Sequence, residues 1–185
     1  MSVQFRETLY HGTIAVIELV IVSEGRGNKD FGKGFYMAVS KSQAIGIMHK
    51  KYREAVRRSR NKKDALFHEH LYRITIDTEV AKKLNNRIFE DADMQWLEFV
   101  LNCREHTDKP HGYDLVVGPT ADDDTLFCLK NYWDGVYGTV GSEDAKRLLM
   151  KNLEPENLGV QYYIGDQEIA DRLIIRIEEI DWSTP

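Results

Sequence analysis

Two short segments hold the residue types best suited to chemistry. Tyr10-His11-Gly12-Thr13 sets an imidazole directly before a glycine. A histidine at a strand end, followed by a residue without a Cβ, leaves backbone open to an approaching ligand. The plain alternative is a turn glycine beside a solvated histidine. Asp30-Phe31-Gly32-Lys33-Gly34-Phe35-Tyr36 brackets a lysine between glycines, with rings on both sides. Such a loop can pass close to a flat ligand and offer it a stacking ring, or it can be a hairpin-like entry with ordinary aromatic packing. It is no phosphate loop, because the Walker spacing and the closing Lys-Ser/Thr are missing. Nor is it a dinucleotide fingerprint, since no G-x-G-x-x-G follows a strand and opens a helix. Ser40 and Ser42 come next. Ser40 suits a helix cap, and Ser42 is freer to point into a cleft.

Other features read as structural. His68-Glu69-His70 lacks the i, i+4 spacing of a helical zinc site. The basic run from Lys50 to Lys63 reads as a solvated helix face. Trp96, Trp133 and Trp182 are expected to fill the core. No serine–histidine–acid order emerges from spacing.

The elements that must position these residues follow from periodicity and caps. Thr8 to Gly12 reads as a strand, Ile14 to Ile21 as either helix or strand, and Ser23 to Gly34 as a long loop of the kind that carries function. Gly34 to Val39 returns to strand. Ser40 then caps a helix with apolar residues at Ala44, Ile45, Met48, Tyr52, Ala55 and Val56. Further on come a strand over Leu71–Ile76, a short helix over Thr78–Asn85, and a helix over Met94–Arg104 capped by Asp93. They are followed by a strand ended by Gly118-Pro119, helices over Thr125–Trp133 and Glu143–Leu153, a strand over Val160–Ile164 and a last strand over Leu173–Trp182. The mixture predicts an α+β fold.

The chain has 185 residues, enough for one domain with a sizeable core, and neither repeats nor linkers divide it. Its 25 basic and 30 acidic side chains leave a net charge of -5, which argues against coating nucleic acid or anionic membrane over a whole face. Cys103 and Cys128 form no CxxC and no zinc-spaced cluster, as expected of thiols in a reducing cytoplasm. The longest apolar run, Ile14 to Val22, is broken by Glu18 and too short to span a bilayer.

Taken in order, Leu9-Tyr10-His11-Gly12-Thr13 and Phe31-Gly32-Lys33-Gly34-Phe35-Tyr36 followed by Ser40-Lys41-Ser42 resemble two motifs of the ADP-ribosyltransferase superfamily. The likeness is to its diphtheria-toxin-like branch, which includes the poly(ADP-ribose) polymerases. The chain also resembles a small bacterial family of unknown function assigned to that fold. The resemblance implies an α+β, ADP-ribosyltransferase-like split β-sandwich of two small sheets, antiparallel or mixed, with flanking helices. It implies NAD as substrate and transfer of ADP-ribose to a protein, nucleic-acid or nucleotide acceptor. By the same resemblance His11, Tyr36 and Gln161 are the catalytic positions, and His11, Gly12, Thr13, Phe31, Gly34, Tyr36 and Ser42 bind NAD. His11 is expected on the nicotinamide-side ribose, Gly12 and Ser42 on the carboxamide, and Tyr36 on the nicotinamide ring. A small antitoxin-like protein is the partner such families suggest.

Gln161 stands where the resembled enzymes have a glutamate, and Ile45 where the polymerase-like ones place a second aromatic. A glutamine keeps the hydrogen-bonding shape without the charge. Losing a carboxylate beside a developing cation costs on the order of 2–4 kcal/mol, or roughly two to three decades in rate. Single transfer is therefore expected rather than polymer growth, and Gln161→Glu is expected to raise nicotinamide release. Asp123 and Asp124 are weaker candidates for a substitute acid. Two other readings stay open: an inert NAD-binding module, and an RNA 2′-phosphotransferase-like enzyme that would need Arg26 and the basic run at its phosphate.

Overall fold

Along the first strand Leu9 is fully enclosed while its neighbour Thr8 is exposed, successive side chains pointing to opposite faces of the sheet. The computed structural model describes residues 5–25, 29–59, 67–106, 111–121, 123–153 and 158–183, without the side chains of Asp123, Asp124 and Leu126. Its strands are β1 (Thr8–Thr13), β2 (Phe35–Ala38), β3 (His70–Ile76), β4 (Asn86–Ile88), β5 (Leu115–Pro119), β6 (Val160–Ile164) and β7 (Ile174–Ile180). Its helices are α1 (Lys41–Arg58), α2 (Thr78–Lys83), α3 (Met94–Glu105), α4 (Asp123–Trp133), α5 (Glu143–Asn152) and α6 (Gln167–Leu173).

Polar caps start the helices. The side chains of Ser40, Asp93, Ser142 and Asp166 accept backbone N–H groups of Gln43, Trp96, Ala145 and Ile169. Each such cap stabilises by about 1 kcal/mol. The segment 14–21 forms neither helix nor strand.

The strands form one mixed sheet in the order β4-β5-β6-β2-β1-β3-β7. Only β4 and β5 run parallel; the other neighbours are antiparallel. The expected two small sheets are thus a single seven-stranded one. It is narrowest in the middle, where β1 and β2 pair at Tyr10↔Ala38 alone.

One face carries Leu9, Phe35, Met37, Tyr72, Ile74, Leu115, Tyr162 and Ile164, against Val20, Val22 and the α6 residues Ala170 and Leu173. The other face has two separate helical covers. Ala44 and Met48 of α1 pack with Ala38 and Leu71. Trp96, Leu97 and Val100 of α3, with Leu129 of α4 and Leu149 of α5, pack with Val116 and Tyr163. β2 and β6 run beneath the seam between these covers. Trp96 is fully buried, but Trp133 and Trp182 remain 38% and 37% exposed, short of the core positions expected for them. Trp133 ends its helix, and Trp182 lies past the edge strand β7 with its ring edge-on to His49.

Candidate functional site

One step beyond the Tyr10↔Ala38 pair, β1 and β2 part. There the Nδ1–H of His11 donates to the backbone carbonyl of Tyr36 at 2.6 Å. The ring also stacks on Phe35, with centroids 4.7 Å apart. Burial draws the His11 pKa down to about 3, helped by the positive charge of Lys51 and opposed by the bond to Tyr36. The imidazole is therefore neutral at ordinary pH. With the proton fixed on Nδ1, Nε2 is an acceptor.

Cross-strand partners share a face, so register decides which side chains meet. Tyr36↔Tyr163, Ala38↔Gln161 and Tyr10↔Ala38 place Tyr36 and Gln161 on the face covered by α1, α3, α4 and α5, with Tyr10. His11↔Tyr72 and Leu9↔Ile74 place His11 on the opposite face. The structure brings Tyr36 and Gln161 to one side of the sheet. His11 meets Tyr36 through its backbone, at the opening.

Gly12 lies under α1: a Cβ there would sit 1.9 Å from the Ala44 carbonyl oxygen. Its own carbonyl accepts from Lys51 Nζ at 2.7 Å, so the backbone expected to face a ligand is engaged in the fold. Thr13 is buried and its hydroxyl accepts from Ala15 N–H. Phe31 is fully enclosed in the core, stacked near Tyr36 and Phe89, rather than exposed to a ligand. At Gly34 a Cβ would meet the Ile164 carbonyl oxygen and the Tyr163 ring, both at 2.4 Å. Ser42 is exposed on the first turn of α1 and hydrogen-bonds Ser40. Ile45 packs against the α1 cluster.

The Tyr36 hydroxyl accepts from Phe31 N–H at 3.0 Å and donates to the Gly32 carbonyl at 2.7 Å, pinning the loop in which Gly32 adopts φ +91. Burial first, then the negative charge of Asp30, raise its pKa well above the usual phenol value. His111 holds the same loop at the Phe31 carbonyl.

Gln161 is buried, and its Nε2 donates to Asp30 Oδ2 at 2.7 Å and more weakly to the Pro119 carbonyl at 3.5 Å. Asp30, also buried, accepts from Ala121 N–H at 2.9 Å and from the Arg104 guanidinium through Nε at 3.1 Å and through Nη2. Trp96 Nε1 donates to the same Pro119 carbonyl at 3.1 Å. α3 thus buttresses the site with both Trp96 and Arg104. A hydrogen bond from Gln43 Nε2 to Thr120 Oγ1, 2.6 Å, ties α1 to the loop after β5.

Nothing in the sequence marks Arg104, Lys51 or Trp96 as members of this site, or shows Asp30's part in it. A charge beside an aromatic, Asp30-Phe31, is the faint local signal for a buried carboxylate. Asp123 and Asp124 begin α4, and their side chains lie outside the described residues, as does Arg26. Glu69 pairs with His49 and His70 with Glu179, so the His68-Glu69-His70 segment is divided between two separate contacts. Among the described residues no helix is long and apolar enough to cross a membrane.

The architecture is thus α+β: among the described residues, a seven-stranded mixed sheet with six helices. Residues 8–174 match the family model described as protein of unknown function (DUF3990), and the chain belongs to that family. No curated protein and no solved structure matches the chain.

Proposed function

We propose that this protein binds NAD across the opening between β1 and β2 and transfers its ADP-ribose part to an acceptor. The observation that carries this reading is the parting of the two strands at an uncharged histidine, held by the 2.6 Å contact between His11 Nδ1 and the Tyr36 carbonyl. An imidazole fixed in this tautomer offers Nε2 to a ribose hydroxyl without a charge that would repel an oxocarbenium-like centre. The ordered likeness of the His11-Gly12 and Gly32–Tyr36 segments to the ADP-ribosyltransferase motifs supports the same ligand. Gln161 and Tyr36, on one face beneath the seam, are suited to the nicotinamide-ribose half. In such a transfer the ribose C1′–nitrogen bond breaks, nicotinamide leaves with the electron pair, and an acceptor nucleophile bonds to C1′ and loses its proton. The geometry narrows what Gln161 can do: a neutral amide held by Asp30 orients a hydroxyl and takes no proton.

A second reading, NAD binding without turnover, is favoured by a specific observation. The carboxylate bonded to Gln161, that of Asp30, is already engaged by Arg104 and Ala121. Incubation with NAD labelled in its ADP-ribose half, with cell extract as acceptor, separates the two. Label on a macromolecule with matching nicotinamide release establishes transfer. A raised melting temperature with NAD but no release establishes the second reading. Neither effect at millimolar NAD overturns both.

A further inference from the structure

Gln161 sits against a carboxylate of this chain's own, and that changes what position 161 can be. Asp30 Oδ2 lies 2.7 Å from Gln161 Nε2, and the carbonyl of Pro119 lies beyond it at 3.5 Å. Both partners only accept, which fixes the amide orientation without ambiguity: nitrogen inward, Oε1 left over. Asp30 is itself held by three further donors, Arg104 Nε, Arg104 Nη2 and Ala121 N–H.

We propose that Asp30 is a positioning residue that turns the Gln161 amide so that position 161 offers a ligand a hydrogen-bond acceptor and no donor. It follows that residue 161 recognises a hydroxyl or N–H of its ligand. Identifying that group as a ribose hydroxyl rests on the NAD reading above. It also follows that a glutamate is excluded at position 161 for as long as residue 30 is an aspartate. Two carboxylates at the 2.7 Å separation seen here cannot both ionise inside the protein, so the expectation that Gln161→Glu raises activity is reversed. The sign of the pH effect is fixed. Beside Asp30, the carboxyl introduced by Q161E would have a folded-state pKa above its unfolded value. The variant's stability deficit therefore grows as pH rises from the unfolded carboxylate range up to that raised pKa.

The same contact predicts a rescue. In D30N an amide whose oxygen keeps the two Arg104 bonds sets its N–H where Gln161 already offers one, at the expense of the Ala121 bond, so Gln161 turns over and presents its nitrogen to the ligand. In the double variant D30N/Q161E the position-30 amide donates to the position-161 carboxylate, and position 161 is an acceptor again.

The test uses the full chain, with melting temperature from pH 5 to 8 and NAD affinity by calorimetry. Q161E is expected to lose stability steeply with rising pH, and D30N/Q161E to remove that steepness. D30N and Q161E singly are expected to weaken NAD at least tenfold, and the double variant to regain most of the loss. A purely structural Asp30 makes the double variant no better than the singles. Overturning results are a Q161E profile parallel to the wild type, or no rescue in the double variant. The stability rescue without any NAD binding to the wild type upholds the Asp30–Gln161 contact and overturns the NAD reading, so the two failures are distinct.

Discussion

His11 touches Tyr36 through the wrong half of the residue for a pair of catalytic side chains: ring nitrogen to backbone carbonyl, 2.6 Å apart, with the phenol on the other face of the sheet. The contact works as a wedge. A carbonyl of β2 that would otherwise bond a β1 amide is bonded by a side chain instead, so the two central strands stay parted where β1 carries its glycine.

This wedge makes stability depend on pH in a definite direction. In the folded state the His11 pKa is about 3, against 6.5 for an unperturbed histidine. Between those values the unfolded chain binds a proton that the folded chain does not, so stability is lost as pH falls from about 6.5. Histidine NMR is expected to show one ring that stays neutral well below pH 5, and to lose that resonance in His11→Asn. Lys51→Met removes a positive charge that lowers this pKa and is expected to raise it. An unchanged titration in Lys51→Met counts against the electrostatic contact.

Tyr36 holds the loop before it through its hydroxyl. Tyr36→Phe keeps the ring between Phe31 and Tyr163 but removes the hydroxyl that serves Phe31 N–H and the Gly32 carbonyl. Leaving such partly buried groups unpaired costs about 1–3 kcal/mol. Urea unfolding is expected to show that loss, and amide exchange at Phe31 to accelerate. Exchange at Phe31 as slow as in the wild type contradicts the assignment.

Two glycines that bear on α1 behave oppositely. In Gly12→Ala the new Cβ would lie 1.9 Å from the Ala44 carbonyl oxygen and 2.9 Å from Met48 Cβ, so α1 must lift off β1. Overpacking of this kind costs about 3 kcal/mol. Gly46, on α1 itself, has nothing within 4 Å of its would-be Cβ. Gly46→Ala is expected to stabilise by about 0.8 kcal/mol through helix propensity. Thermal melts of the two variants should shift to opposite sides of the wild type.

The same positions show what a sequence can reveal. α1 is readable because Ser40 caps it and Ala44 and Met48 recur at helical spacing. β1, β2 and β6 are readable because apolar and aromatic runs end at turn residues. α6 escapes because its seven residues pass straight into β7, so Leu173 and Ile174 read as one apolar strand. β4 is three residues long and carries no pattern. The candidate site is visible as a set of segments but not as a set of faces. Parity along β1 decides whether His11 or Gly12 looks toward Tyr36, and only the register with β2 and β3 fixes it. Asp30 pairs with Arg104 across 74 positions and with Gln161 across 131, contacts without any local signature.

The Asp30–Arg104 pair carries the largest expected effect. Arg104 is 13% exposed and Asp30 6%, so neither charge has much water to turn to. Arg104→Met leaves the Asp30 carboxylate buried with only the neutral donors Gln161 and Ala121. Breaking one side of a buried ion pair costs about 3–5 kcal/mol. Replacing both partners with apolar residues, Asp30→Leu with Arg104→Met, removes the orphaned charge and is expected to recover part of that loss. The double variant is also expected to weaken NAD binding, because the Pro119 carbonyl at 3.5 Å is then left to hold the Gln161 amide in place of Asp30. A chain with that double substitution that binds NAD like the wild type would show that α3 supports the fold without supporting the site.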